Sequence, residues 1–363
     1  MHMADALLSP TVGVGFLAAS GGVLAYSAKR IKDEADDSKI PLMGVLGAFV
    51  FAAQMINFTI PGTGSSGHIG GGMLLAMLLG PYAAFVTMAS VLIVQALIFA
   101  DGGILALGTN TWNLGFYPCI VGWWLYRIVV GRNPTYARLS VAAMLGILIA
   151  LEMGALSVAI QTVFSGKSEL PLGKFSILML GIHLPIALVE GFVTLGVVNF
   201  AYRIRPQVVE ASLGIGQAFG QSKRSYRPLV GAALAATLLV GGVVAWFASA
   251  RPDGLEWSIR KIIGSEGIPE ASDTLSGRLS RIQEQKALLP DYELPATRLG
   301  TKGSAVRERD PTEAPPWPHV SPGKSLSGIL GSLIVLACVG FTALVLVRLR
   351  GKGTQASRGG RPE

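Results

Sequence analysis

The sequence predicts an all-α integral membrane protein, and three observations carry that prediction. Of 363 residues, 51% are hydrophobic and only 14% charged, whereas soluble domains carry about 25% charged residues. Mean hydropathy is +0.52. The apolar residues fall in runs long enough to cross a bilayer, and the basic residues cluster between them. So little polar surface cannot coat soluble globules of this size, which excludes a soluble enzyme, a disordered chain and a disulfide-stapled secreted domain. The net charge of +8 flanks apolar runs, so it points to the membrane rather than to nucleic acid.

A span needs about 20 mostly apolar residues. Runs at 7–28, 40–60, 81–100, 104–126, 139–163, 174–201, 229–249 and 325–347 qualify. Residues 69–100 form one apolar block interrupted at Gly80-Pro81. A straight helix of that length would measure roughly 48 Å, against a hydrocarbon core of about 30 Å. A short crossing over 69–80 followed by a full one is the expected solution. Lys29, Arg30, Lys32 and Lys39 form one basic group, and Arg127, Arg132 and Arg138 a second. Arg203, Arg205, Lys223, Arg224 and Arg227 form a third, and the tail carries Arg348, Arg350, Lys352, Arg358 and Arg361. Nine crossings with the N-terminus outside put all four groups in the cytoplasm; eight would switch sides after residue 100. The positive-inside rule selects nine, N-terminus out and C-terminus in.

The expected organisation is a seven-helix core over 1–228 and, over 229–363, two further transmembrane helices flanking an external loop at 250–324. That loop holds 11 basic and 11 acidic residues and nine of the 20 prolines. Its second half, around PTEAPPWPHVSP, reads as extended linker, and 270–290 as a short amphipathic helix. No internal repeat stands out, which argues against an inverted-repeat transporter. The two cysteines, Cys119 and Cys338, lie in apolar stretches and read as buried small hydrophobes. No basic region precedes the first apolar run, so no cleavable leader is expected.

Four histidines are present: His2, His68, His183 and His319. The charge-derived topology puts His2 and the loop at 61–68 on the same outer face. The Met1 amine, the His2 amide nitrogen and the His2 imidazole can chelate one ion through fused rings, and His68 can fill the open position of a planar site. Nitrogen-rich planar sites suit Ni(II) and Cu(II), and imidazole also suits Co and Zn. The same residues also read as a frayed terminus and an ordinary loop histidine, which spacing alone does not separate. The loop PGTGSSGHIGGG has six glycines in twelve residues, which permits tight turns and close backbone approach. It lacks the Lys-Ser/Thr of a phosphate loop.

Polar residues within spans are costly and are kept for function or pairing. Gln54, Asn57, Gln95, Asp101, Asn110 and Asn113 surround the His68 loop in sequence and are candidates to orient the imidazoles; helix-to-helix hydrogen bonding accounts for them equally well. His183 and Glu190 share a helix face two turns apart and read as structural or coupling residues. Glu152 lies within a span and has no evident partner.

The start Met1-His2, the string PGTGSSGHIGGGMLLAMLLGPYAA, then VQALIFADGGILALGTN and HLPIALVEG together resemble the CbiM/NikM substrate-binding components of energy-coupling factor importers, over about residues 1–205. RPDGLEWS at 251–258 is similar to the CbiN/NikN accessory subunit, over about 229–350. Ala6 stands where the family often has Gly. The resemblance implies a non-enzymatic, multi-pass component of a prokaryotic cell membrane. It implies uptake of cobalt for cobalamin biosynthesis, with nickel as the alternative ion. Implied partners are a transmembrane coupling subunit (CbiQ/NikQ-like) and two cytoplasmic ATPases (CbiO/NikO-like). It also implies a metal held by Met1, His2 and His68. The loop residues Asp253, Glu256 and Trp257 then read as loading or gating elements, or as part of a plain spacer. A passive metal channel or a sensor is the competing reading. An intramembrane enzyme is disfavoured, since HExxH and paired catalytic residues are lacking within the spans.

Overall fold

The computed structural model describes residues 1–34, 39–167, 169–215, 227–268, 273–293, 318 and 320–358. Proline and glycine set most helix limits. α1 (Pro10–Glu34) starts on a proline, and α2 (Lys39–Gln54) leads into a two-stranded antiparallel hairpin, β1 (Phe58–Ile60) with β2 (Ser65–Gly67), in which Phe58 pairs with Gly67 and Ile60 with Ser65. α3 (Gly72–Leu79) ends at Gly80, whose φ of 82° only glycine adopts readily, and Pro81 opens α4 (Pro81–Phe99). This is the interruption that the length argument requires.

The expected span at 104–126 is a composite. α5 (Leu107–Thr111) passes into a π-helical stretch, Trp112–Gly122, and then into α6 (Trp123–Val130). Pro118 lies within the π stretch. Its missing N–H and its ring clash with an α-helical turn, and the wider turn relieves both. α7 (Tyr136–Ser165) is capped by the Thr135 hydroxyl, which accepts from Arg138 N, and ends at Gly166. α8 (Leu172–Ile204), α9 (Pro206–Ser212), α10 (Arg227–Gly242), α11 (Gly254–Ile263), α12 (Leu275–Lys286) and α13 (Pro322–Arg358) complete the order.

By length and composition five helices can cross a membrane: α1, α4, α7, α8 and the Pro322–Val345 part of α13; α2 and α10 are apolar but shorter. The outward faces of the long helices carry large apolar side chains, such as Phe164, Ile177, Phe192 and Phe341, each more than two-thirds exposed. Lipid is a good solvent for such a surface and water is not. Cys119 is buried as expected. Cys338 is not: it is exposed on α13, because its position falls on the outward side of that helix.

α3 is eight residues long and wholly buried. At about 1.5 Å per residue it cannot by itself bridge a core of about 30 Å. Irregular backbone continues it inside the bundle, where protein groups satisfy it. Glu190 accepts from Gly70 N and Gly71 N before the helix, and the Ser212 hydroxyl donates to Met77 O near its end.

Glycines let helices approach closely. A Cβ on Gly328 of α13 would lie 2.3 Å from Gly241 O of α10, and one on Gly44 of α2 would lie 3.3 Å from Leu336 O of α13. The segment between α10 and α13 is more than a spacer. The amphipathic helix expected in 270–290 is α12, and α11 adds a helix that was not expected. Both lie against the bundle. Residues 311–317 of the proline-rich stretch, and His319, lie outside the described residues.

Candidate metal centre

The N-terminus is threaded into the protein. Met1, Met3, Leu7 and Leu8 are buried. Asn110 treats Met3 as a strand partner would: Met3 N donates to Asn110 Oδ1 at 2.8 Å, and Asn110 Nδ2 donates to Met3 O at 3.1 Å. Gly103 N also donates to Met3 O, and Ala106 N donates to Asp5 Oδ1. A Cβ on Gly103 would fall 1.7 Å from that carboxylate oxygen, so the approach needs glycine. These bonds fix the residues that follow His2.

The glycine-rich loop is held just as firmly. Besides the Glu190 clamp, Gln54 Nε2 donates to Gly70 O at 2.8 Å, and Gln95 Nε2 donates to Gln54 Oε1 at 2.9 Å. Gly71 has φ 76°, and a side chain there would meet Val50. The buried carboxylate of Glu190 is thereby explained as the acceptor for two main-chain N–H groups.

The two segments converge on three nitrogen-bearing groups. The Met1 amine lies 3.3 Å from His68 Nε2. The His2 and His68 rings stack with centroids 5.2 Å apart and planes within 5°. His68 Nδ1 lies 3.3 Å from Ile69 O, so its proton belongs there and Nε2 presents a lone pair. Burial first, then the Met1 ammonium and His2, push the His68 imidazole down to about 3. Burial also lowers His2, against the opposing pull of Asp101. Both rings are therefore neutral near pH 7, the state in which imidazole binds metal.

The donor chemistry fits a divalent transition metal. Among the described residues, no group of three or more His, Cys, Asp or Glu side chains gathers into a metal cluster; main-chain nitrogen at residues 1 and 2 lies beside the two imidazoles as a further donor. An amine, an amide and an imidazole of residues 1 and 2 form fused rings only through His2 Nδ1. That atom lies 3.3 Å from Asp101 Oδ1, so chelation requires the His2 ring to turn from Asp101.

Groups from the C-terminal part cover this arrangement. The Met1 amine donates to Asp253 Oδ2 at 3.1 Å. Asp253 caps α11 in a reciprocal box with Glu256. Burial raises a carboxyl, but the Met1 ammonium, the Glu256 N–H and His68 outweigh it and hold Asp253 below the usual range. Glu256 moves the other way, up to about 7, through burial and then the Asp253 charge. The Ser66 N–H donates to Pro252 O at 2.8 Å, and Trp257 Nε1 donates to Thr63 O at 2.9 Å. Tyr292 was not anticipated: its hydroxyl donates to Asp101 Oδ2 at 2.6 Å. A cavity of about 490 Å³ opens between these groups and the imidazoles, lined among others by His2, His68, Asp101, Asp253 and Tyr292.

The other expected residues divide. Gln54, Gln95, Asp101 and Asn110 touch the site or what holds it. Asn113 Nδ2 meets the Met3 sulfur at 3.7 Å, and Asn113 exchanges hydrogen bonds with Gln161 at 2.8 and 3.1 Å. Asn57 lines the cavity, and its main-chain oxygen accepts from Ser249 N. His183 Nδ1 pairs with Met179 O at 2.7 Å, one helical turn back, and its ring lies against Gly254. Glu152 Oε1 is buried without a hydrogen-bond partner. The sequence offered no signal for Tyr292, a lone tyrosine beside Asp291 in a polar stretch.

Comparison with known proteins agrees with this chemistry. Residues 2–208 match the CbiM family, described as the cobalt uptake substrate-specific transmembrane region, and residues 227–348 match the PDGLE domain. A putative fused nickel transport protein, NikMN, of Archaeoglobus fulgidus is 34% identical over 341 residues, covering 93% of this chain and 96% of that one. A cobalt transport protein, CbiM, of Geobacter sulfurreducens is 27% identical, over 76% of this chain and 81% of that one. A crystal structure of a truncated transition metal transporter superposes with a TM-score of 0.50 at 31% identity, covering 56% of this chain and 99% of that one. The chain belongs to the CbiM family of metal transport components, joined in one polypeptide to a PDGLE domain.

Proposed function

We propose that this chain captures nickel ion at the outer face of a prokaryotic cell membrane for import. The observation that carries the reading is the Met1 amine, 3.3 Å from His68 Nε2 and flanked by the stacked His2 ring. Amine, deprotonated amide and two imidazoles make a four-nitrogen planar set, which suits Ni(II) and excludes Mg²⁺ and Ca²⁺, ions that prefer oxygen. The nickel transport name of a relative matched along nearly the whole chain supports the same ion. Cobalt is the second reading, favoured by the family description and by the Geobacter relative.

The ion enters through the cavity, where the carboxylates of Asp101 and Asp253 draw a dication. It displaces the Met1 ammonium proton and the His2 amide proton. Asp253 then releases the amine, and the His2 ring turns to offer Nδ1. The chain has no G-x-x-x-x-G-K-[ST] motif to bind nucleotide phosphates. Energy for inward release comes from a CbiQ/NikQ-like coupling subunit and two CbiO/NikO-like ATPases. The core is residues 1–228 with seven crossings, and residues 229–363 add two more. The N-terminus is outside and the C-terminus cytoplasmic, as the basic groups favour.

The test is titration of the purified full chain with Ni²⁺ and Co²⁺, against His2→Ala and against a chain carrying one extra residue before Met1. Stoichiometric binding that both variants abolish, tighter for Ni²⁺, is the expected result. Unchanged affinity in both variants would overturn the site, and tighter Co²⁺ binding would reverse the choice of ion. Ion flux through liposomes lacking the ATPases would instead identify a passive channel.

A further inference from the structure

Asp101 faces a His2 ring nitrogen at 3.3 Å, and its second oxygen is not free. Tyr292 donates to Oδ2 at 2.6 Å while His2 Nδ1 faces Oδ1. With one oxygen fixed, the other has a single direction left to it. The three groups form a chain from the C-terminal module, through the end of α4, to the second residue of the protein.

The segment bearing Tyr292 is built to hold that hydroxyl in place. Asp291 and Tyr292 both have positive φ, 51° and 60°, a conformation that non-glycine residues keep only when their surroundings impose it. The surroundings do so here. Leu289 N donates to Ile98 O at 3.0 Å, and the Ser327 hydroxyl donates to Tyr292 O at 2.8 Å. Gln283 Nε2 donates to Ala96 O and to Gly102 O, straddling the turn that carries Asp101. The Tyr292 ring stacks on Phe99 at 4.7 Å and 16°. Packing alone would need only the ring; the short bond to Asp101 uses the hydroxyl.

We infer that Tyr292 is a positioning residue for metal capture, fixing the Asp101 carboxylate that orients the His2 imidazole. The inference rests on the proposed metal site. Carboxylates that accept the remote N–H of a metal-bound imidazole set its tautomer and ring angle, and losing such a partner costs roughly 10–100-fold in affinity. When His2 turns Nδ1 to the ion, Nε2–H becomes the group that Asp101 receives, and Tyr292 keeps that acceptor aimed. The PDGLE module thus completes the site without contributing a ligand here.

The experiment is Ni²⁺ titration of the full-length chain as wild type, Tyr292→Phe, Asp101→Asn and the double variant, with His2→Ala as reference and the Ni(II) visible absorption band recorded alongside. Tyr292→Phe keeps the stacked ring and removes one oxygen. It is expected to weaken binding about tenfold and shift the band, and to have no further effect once Asp101 is Asn. Wild-type affinity in Tyr292→Phe, or the same loss in both backgrounds, overturns the inference while His2→Ala still abolishes binding. Wild-type affinity in His2→Ala overturns the metal site itself, and this inference with it.

Discussion

The two modules reach the metal centre with different chemistry. Residues 1–208 bring nitrogen: the Met1 amine, the His2 amide and ring, and His68, flanked by Met3 and Gly70, whose N–H groups donate to Asn110 and Glu190. The C-terminal module brings oxygen: the Asp253 carboxylate on the amine and the Tyr292 hydroxyl on Asp101. In the proposed site, nitrogen would select the ion and oxygen would adjust the groups that bind it. Affinity and its control are thus separable, because they reside on different stretches of chain.

Four changes would break or sharpen that contrast. Glu190→Ala strikes deepest on the nitrogen side, since it strands the Gly70 and Gly71 N–H groups inside the protein. Each unsatisfied group costs about 1–3 kcal/mol. We expect a loss of about 2–6 kcal/mol by thermal unfolding in detergent and loss of metal binding as the loop shifts. Asn110→Ala removes both bonds to the Met3 peptide. About 1–3 kcal/mol is expected, with weaker metal binding by titration; unchanged affinity would show that the N-terminal segment is held by its apolar side chains alone.

On the oxygen side, Asp253→Asn removes the charge paired with the amine. The metal-free chain should lose about 1.5–3 kcal/mol at neutral pH, the worth of a charge-assisted bond, while His2→Ala affinity loss stays as large as in the parent. Trp257→Phe should do least, about 1 kcal/mol for the bond to Thr63 O, read as a small fall in melting temperature.

Acid distinguishes the sides again. The His68 imidazole is neutral in the folded chain down to about 3 but takes up a proton near 6.5 when unfolded. Its folded value is depressed, so the stability it confers is full above about 6.5 and drains away as pH falls toward 3. Melting temperatures measured from pH 7 to pH 4 should fall, and should fall less in His68→Gln. Metal binding should weaken over the same range, since protons compete for the same nitrogens.

Much of this was legible from residue order. The break at Gly80-Pro81 follows from length, and donor chemistry picks out Met1, His2 and His68, although spacing leaves them equally readable as a frayed terminus and a loop histidine and only the family resemblance chooses between the two. The composite helix around Pro118 was not legible, because a proline in an apolar run reads as a kink and the wider turn that absorbs it depends on tertiary neighbours. The role of Glu190 as a clamp on Gly70 and Gly71 was hidden for a similar reason, since nothing local says which loop a mid-helix carboxylate will meet. Hydropathy could not show that the polar stretches 250–268 and 273–293 fold back over the imidazoles, because the bonds that hold them span more than 180 residues.

The glycine seams have a consequence for how the polypeptide can be cut. α13 meets α10 at Gly328 and Gly241, and meets α2 at Gly44. Those contacts seat the last helix directly against α10 and α2. The expectation is that a protease nick between Glu293 and Pro318 leaves both fragments together on gel filtration in detergent; separation of the fragments would show that the glycine contacts do not suffice.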